Sequence, residues 1–110
     1  MEITKHEIDD VLEVRVVGRL DAYWADHLAR ALDDAVRGGA HRIRANMSGV
    51  SFMSSVGIRV LLKSYKQLQR IKGSLTIAEP SEPVRTVLQL AGLDQLFAPA
   101  PAAEERRKAA

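Results

Sequence analysis

The sequence of 110 residues predicts a single α/β domain built on a mixed β-sheet with helices mainly on one face. Segments that alternate apolar and polar residues, as strands do, are interleaved with segments whose apolar residues recur at helical spacing. The predicted order is β-β-α-β-α-β-α. Charged residues interrupt the alternating segments, which indicates that one face of the sheet meets water, since strands covered on both faces are apolar throughout.

Two strands are predicted at the start of the chain. Residues 11–17 alternate as a half-buried strand does, and residues 3–8 form a weaker strand candidate. Asp9 and Asp10 between them suit a hairpin turn. The sequence therefore predicts an antiparallel pair at the beginning of the sheet.

The first helix is predicted over residues 22–37. Asp21 is placed to cap it, because a side-chain carboxylate accepts hydrogen bonds from the first amides of a helix. Gly38 and Gly39 end it. Its apolar face consists of Trp24, Leu28, Ala31, Leu32 and Ala35.

The remaining elements follow in the same alternation. Residues 42–47 and 74–78 read as strands, and a long helix lies between them, from the serines at 54 and 55 to about residue 71. Ser81 caps a third helix that Gly92 stops, and residues 96–97 are a possible last short strand. The domain is predicted over residues 1–98, with an Ala- and charge-rich tail over residues 99–110.

The charged residues of the predicted strands define the open face of the sheet. Glu13, Arg15, Arg42 and Arg44 are expected to share its solvent side, because each alternates with apolar neighbours. Leu12, Val14, Ile43 and Ala45 are then expected to face the helices.

Composition excludes several classes of function. The net charge of +2 and the five scattered aromatic residues do not indicate nucleic-acid binding. The chain has no cysteine, its histidines are dispersed, and it contains no phosphate-binding glycine loop, so we expect no metal, cofactor or nucleotide site. No signal peptide and no membrane-inserting segment is visible, and a cytoplasmic location is expected.

The segment FMSSVGI, residues 52–58, places two adjacent serines where a predicted strand gives way to a helix. Three interpretations are open. Ser55 caps the helix, it is a nucleophile, or it accepts a phosphate, which the positive end of a helix dipole tolerates. Gly57 in the first turn lowers helix stability and lets something approach closely.

A nucleophilic enzyme is the least supported of these interpretations. Only half of the hydrolase motif G-x-S-x-G is present around Ser55, since Met53 stands where the first glycine belongs. None of the three histidines is placed as a base beside it. We therefore predict a protein that is not an enzyme.

The stretch GVSFMSSVGIRVLL resembles the signature of the STAS family, the anti-sigma factor antagonists and their relatives. The resemblance extends to the segment GRLD, residues 18–21, and to the closing segments that contain Leu75, Ile77, Ala91-Gly92-Leu93 and Phe97, and so covers roughly residues 3–98.

Residue by residue, the resemblance places Ser55 on the phosphorylatable serine of that family, Gly57 on the motif glycine and Asp21 on the acid before the first helix. Ser48 falls on the serine that follows the end of a strand. Asn46 and Ser54 stand where the family usually has aspartate, which makes the loop around the acceptor serine less acidic.

A basic stripe follows on the helix after Ser55. Arg59, Lys63, Lys66 and Arg70 recur at helical spacing, and no acidic residue occurs between positions 54 and 78. The stripe is either a solvated face or a docking surface for an acidic partner. The predicted partner-binding residues are Asp21, Ser54, Ser55, Val56, Gly57, Arg59 and Lys63.

The resemblance implies an anti-sigma factor antagonist. Such a protein binds a histidine-kinase-like anti-sigma factor, the partner phosphorylates Ser55, and this releases the complex until a phosphatase restores it. The alternative is a STAS scaffold or sensor subunit that never cycles through phosphorylation, in a signalling complex, in lipid-transport machinery or as a small-ligand binder.

Overall fold

The computed structural model describes residues 1–97. The elements are β1 (Glu2–Ile8), β2 (Val11–Leu20), α1 (Ala22–Arg37), β3 (Arg42–Met53), α2 (Ser55–Arg70), β4 (Ser74–Ala78) and α3 (Glu82–Leu90), followed by a 3-10 turn over Asp94–Leu96. This is the predicted α/β order. The tail predicted over residues 99–110, with residue 98, lies outside the described residues.

The four strands form one mixed sheet in the order β1-β2-β3-β4. β1 pairs antiparallel with β2 through the turn at Asp9 and Asp10, whereas β2 with β3 and β3 with β4 are parallel. The parallel strands are joined by α1 and α2, so that β2, β3 and β4 all end at the same edge of the sheet. The helices α1, α2 and α3 begin at that edge.

Both β2 and β3 are longer than their sequence patterns predict. β2 continues to Leu20 and β3 to Met53, and their pairing register shifts between Arg15 and Val17 and again after Gly18. Gly18 has a φ of +119°, and a Cβ at this position would lie 2.9 Å from Cα of Met1. These irregularities break the alternation from which a strand is recognised, although the backbone pairing continues.

One face of the sheet carries the core. Val14 and Val16 of β2, Ile43 and Ala45 of β3 and Ile77 of β4 are buried there, beneath α1 and α2, which pack against each other. The buried stripes of the helices complete this core with Leu28 and Leu32 of α1, Leu61 and Leu68 of α2, and Val84 and Leu88 of α3.

The opposite face confirms the predicted placement of charges. Arg15, Arg42 and Arg44 are exposed, and Glu13, the register partner of Arg44, is half-buried. Farther along the same face Asn46 is only 7% exposed. The sheet is therefore open to water over part of this face and covered near the middle of β3.

The helix boundaries agree with the capping signals. α1 spans the predicted residues, and Ser81 Oγ accepts a hydrogen bond from Val84 N at 3.4 Å to cap α3. The predicted strand at residues 96–97 is wrong for Leu96, which ends the 3-10 turn, while Phe97 forms an isolated parallel bridge with Ile77. Within residues 1–97, no helix is both long and apolar enough to cross a bilayer.

Candidate functional site: the paired starts of α1 and α2

The starts of α1 and α2 lie side by side because they follow paired residues of neighbouring strands. Leu20 ends β2, Met53 ends β3, and the two are register partners. Ser54 N then donates to Leu20 O at 3.0 Å. This hydrogen bond brings Asp21 and the two serines to one edge of the sheet.

Ser54, and not Ser55, caps α2. Ser54 has extended backbone angles, and its Oγ accepts a hydrogen bond from Gly57 N at 3.3 Å. The interpretation of Ser55 as the cap was wrong. Ser54 is the last extended residue, held by its backbone hydrogen bond to Leu20 O, and α2 begins at Ser55, one residue earlier than a cap at Ser55 would require. Ser55 is the first residue of α2 and is exposed, so its hydroxyl is not needed for capping.

Gly57 is buried and faces the interior of the protein. A Cβ at this position would lie 3.1 Å from Cγ and Cδ2 of Leu20 and 3.3 Å from Cγ of Met53. The missing side chain was expected to let another group approach the helix start, and the group that approaches is Leu20. The absence of a side chain at Gly57 thus lets α2 pack against the end of β2. Gly57 faces the core and does not contribute to the surface of the protein.

Asp21 has a structural role at the start of α1. Its Oδ1 accepts a hydrogen bond from Trp24 N at 3.0 Å, and its carbonyl accepts from Ala25 N at 2.8 Å. The residue is half-buried. The predicted cap is confirmed, and the carboxylate is held in place beside the start of α2.

The exposed part of the site continues along α2. Val56 is half-buried next to Ser55, and Arg59 and Lys63 are both exposed on the same helix. Lys66 and Arg70 extend the same stripe. The ion pairs found among residues 1–97 lie on α1, joining Arg30 to Asp26 and Arg37 to Asp33, so the basic stripe of α2 is not neutralised within the part of the chain described.

Asn46 and Ser48 form a network in β3, separated from the serines by the second half of that strand. Asn46 Oδ1 accepts hydrogen bonds from Ser48 Oγ at 2.9 Å and from Ser48 N at 3.1 Å, and Asn46 Nδ2 donates to Glu13 Oε2 at 3.3 Å. The expectation that Asn46 belongs to the loop around Ser55 was wrong, because β3 does not end at residue 47. Of the two departures from the family pattern, Ser54 alone lies at the site.

Sequence reasoning missed a cation–π pair beside the site. The guanidinium of Arg19 lies over the ring of Phe52, 4.4 Å from its centroid, and Phe52 is 37% exposed. The two are register partners immediately before Leu20 and Met53. Because Arg19 and Phe52 each precede a buried residue in an alternating strand, the sequence could have indicated that both side chains are exposed. Only the pairing register of β2 and β3 shows that the two side chains meet.

The site contains hydroxyls, one carboxylate and basic side chains. His6, His27 and His41 lie on β1, on α1 and before β3, and none is next to Ser55 in the fold. No group of three or more metal-ligating side chains is found within residues 1–97. What the arrangement offers chemically is an accessible hydroxyl at a helix N-terminus beside a basic surface.

Comparison with known proteins connects this arrangement to one family. The profile of the STAS domain matches residues 2–109. The chain is 31% identical over 110 residues to BtrV of Bordetella bronchiseptica, named as a candidate anti-sigma factor antagonist, covering 100% of this chain and 92% of that protein. It is 32% identical over 89 residues to the anti-sigma-B factor antagonist of Staphylococcus epidermidis, covering 81% of this chain and 82% of the relative.

Solved structures show the same fold. The anti-sigma factor antagonist SpoIIAA in its unphosphorylated form superimposes with a TM-score of 0.78 at 25% identity, covering 99% of this chain and 98% of the other. The phosphorylated form of SpoIIAA, a Bacillus cell fate determinant, gives a TM-score of 0.72 at 24% identity, covering 97% and 100%. Both SpoIIAA and the Staphylococcus epidermidis relative are named as anti-sigma factor antagonists.

Proposed function

Because this chain belongs to the STAS domain family, we propose that it is an anti-sigma factor antagonist whose binding is switched at Ser55. The unphosphorylated protein binds a histidine-kinase-like anti-sigma factor. Phosphorylation of Ser55 by that partner releases it, and a phosphatase reverses the modification.

The observation that carries this proposal is that the two serines have different roles: Ser54 caps α2, and Ser55 is exposed and takes no part in capping. Ser54 Oγ is engaged with Gly57 N at 3.3 Å, so α2 keeps its cap whatever happens at Ser55. The Ser55 hydroxyl is exposed at the first position of the helix, where the dipole and the free amides favour an anion. A phosphate at Ser55 is therefore compatible with an unchanged fold.

Release follows from the charge that the phosphate adds. A phosphoserine carries about −1.5 to −2 charge at neutral pH. When a partner covers the start of α2, this charge loses its hydration next to the apolar Val56, and the Asp21 carboxylate repels it. The basic Arg59 and Lys63 favour a partner whose facing surface is acidic, and such a surface repels the phosphate as well.

The transfer step uses reagents that the partner brings. The partner binds ATP and Mg²⁺, the Ser55 Oγ attacks the γ-phosphorus, the bond from that phosphorus to the bridging oxygen of ADP breaks, and the serine proton passes to a base of the partner. Hydrolysis by a phosphatase returns the hydroxyl and inorganic phosphate. This chain contributes the acceptor oxygen and the surface that positions it.

Replacement of Ser55 by a charged residue tests the switch. We expect Ser55→Asp to weaken binding to the kinase-like anti-sigma protein of the same genome by about 10- to 1,000-fold, measured by calorimetry, since a carboxylate enters the contact surface. Ser55→Ala is expected to bind as the wild type does. It should also lack the gain of about 80 Da that the wild type shows in mass spectra after incubation with partner, ATP and Mg²⁺.

A matched control is Ser74→Asp, which adds the same charge at an exposed serine at the start of β4. It should bind the partner with wild-type affinity. Wild-type affinity of Ser55→Asp, or a mass gain that persists in Ser55→Ala, would contradict the proposal. A chain that binds but is never phosphorylated would be a scaffold of the non-cycling kind.

A further inference from the structure

The outer edge of β1 is a long and regular sheet edge. β1 has seven residues, Glu2–Ile8, it pairs only with β2 in the four-stranded sheet of residues 1–97, and its register contains no shift. Edge strands are usually protected from pairing with other chains by short length, bulges, proline or charges. Of these protective features, β1 has only charged side chains. Lys5 and Glu7 point towards the helix side of the sheet, as their register partners Val14 and Leu12 do.

A groove runs along this edge between β1 and α1. It has a volume of about 610 Å³, and its lining includes the apolar Ile3, Trp24 and Ala31 together with Lys5, Arg30 and Asp34. Tyr23, 66% exposed, packs edge-on against Trp24 with the ring centroids 5.1 Å apart. Backbone hydrogen-bonding groups and a partly apolar groove thus lie next to each other, which is the combination that strand addition uses.

Lys5 and Glu7 of β1 are complementary to the same two residues of a second copy. In an antiparallel pair of identical strands related by a two-fold axis perpendicular to the sheet, residues of the same face lie opposite each other. With the axis at His6, Lys5 of each copy lies opposite Glu7 of the other. Thr4 then lies opposite Ile8, a residue that is 51% exposed in the single chain.

We propose that β1 pairs antiparallel with β1 of a second copy of this chain, with His6 on the two-fold axis. The pairing joins the two four-stranded sheets into one and places the two α1 helices on the same face of the joined sheet, one on each side of the seam. Each copy covers the groove of the other, which is lined by Trp24 and Ile3. The apolar surface buried in this way stabilises the pair, since two isolated strands are not stable by themselves.

The neighbouring registers are disfavoured by charge. With the axis at Lys5, two lysines lie directly opposite each other, and like charges in a cross-strand pair are destabilising. With the axis at Thr4, Lys5 lies opposite the apolar Ile3. The register at His6 is the one of these three that gives both Lys5 residues an opposite charge.

The second copy leaves the Ser55 site accessible, because β2 separates β1 from β3 in the sheet and Ser55 follows β3. The inference is therefore independent of the proposed switch. A dimer would present two copies of the site on one particle.

The experiment is a charge exchange read by oligomeric state. Sedimentation equilibrium over a concentration series is expected to show the wild-type 12.1-kDa chain in equilibrium with a particle of twice that mass. Lys5→Glu and Glu7→Lys should each weaken self-association about 10- to 100-fold, since each places two like-charged pairs in the seam. The double variant Lys5→Glu/Glu7→Lys should regain wild-type association.

The two single variants also test each other. Neither should self-associate strongly, yet their mixture should form a mixed dimer, because the two acidic positions of the Lys5→Glu chain then face the two basic positions of the Glu7→Lys chain. Lys66→Glu on α2, away from β1, is the control and should not change association. Circular dichroism checks that each variant is folded. A wild type that stays monomeric throughout, or folded single variants whose mixture does not associate, would overturn the proposal.

Discussion

The starts of α1 and α2 use the same capping geometry with different chemistry. In each, the third helical residue donates its amide to the cap side chain, from Trp24 N to Asp21 Oδ1 at 3.0 Å and from Gly57 N to Ser54 Oγ at 3.3 Å. One cap is a carboxylate and the other a neutral hydroxyl. The third residue is half-buried in α1 and buried in α2.

This difference favours the start of α2 over that of α1 as the place for the proposed switch. Asp21 already supplies the negative charge that the positive end of α1 favours, whereas α2 has a neutral cap and no acidic residue in its first turn. Gly57 lets α2 sit tightly on Leu20, so its start is held by packing as well as by its cap. An anion added at Ser55 therefore lies where the dipole of α2 favours negative charge and where packing against Leu20 holds the helix start.

The largest effect is expected from filling the space above Leu20. Gly57→Val should lower the free energy of unfolding by about 2–3 kcal/mol, because the branched side chain overlaps Leu20 and Met53 in a packed core. Urea unfolding measures this. Ser55→Val, on the exposed side of the same helix start, isolates the cost of a β-branched residue in a helix, and an equal loss in the two variants would contradict the packing explanation.

Loss of either cap should have an intermediate effect. Asp21→Ala and Ser54→Ala are each expected to cost about 1 kcal/mol of stability, since each leaves an N-terminal helix amide without its side-chain acceptor. The measurement is again the midpoint and slope of urea unfolding. If Ser54→Ala were neutral while Ser55→Ala lost this amount, the assignment of the cap would have to move to Ser55.

A smaller and opposite effect is expected when the α2 cap is made to resemble that of α1. Ser54→Asp keeps a capping oxygen and adds a negative charge at a helix N-terminus, which should raise stability by about 0.3–1 kcal/mol at low ionic strength. The gain should shrink when salt is added, because salt screens the interaction with the dipole. A stability decrease that salt does not relieve would show that the cap site cannot hold a carboxylate.

The smallest effect is expected at Ser55 itself. Ser55→Ala removes an exposed hydroxyl that takes no part in capping, and it should change the free energy of unfolding by no more than about 0.5 kcal/mol. Thermal unfolding beside Ser54→Ala gives a direct comparison. Near-equal melting temperatures for these two variants would remove the distinction between the two serines.

The elements that the sequence predicted well are those with local signals. α1 has a cap residue before it and two glycines after it, and its predicted bounds agree with the structure. β4 is a short strand after a glycine and was also located to the residue. In both, neighbours along the chain determine where the element begins and ends.

The features that sequence reasoning missed depend on distant parts of the chain. The ends of β2 and β3 were placed too early because register shifts interrupt their alternation, although pairing continues to Leu20 and Met53. Ser54 and Ser55 are equally good caps in isolation, and only the hydrogen bond from Ser54 N to Leu20 O selects between them. The role of Gly57 likewise depends on Leu20, which is remote in sequence.

The hydrogen bond between Asn46 and Glu13 has an evolutionary consequence. An aspartate at position 46 would place a second carboxylate at the 3.3 Å contact with Glu13 Oε2, in a site where residue 46 is only 7% exposed, and two carboxylates cannot both remain charged there without a large penalty. The two positions should therefore covary, so that relatives with an acid at the position of Asn46 carry a neutral or basic residue at that of Glu13. Substitution at one of these positions constrains which residues the lineage can later accept at the other.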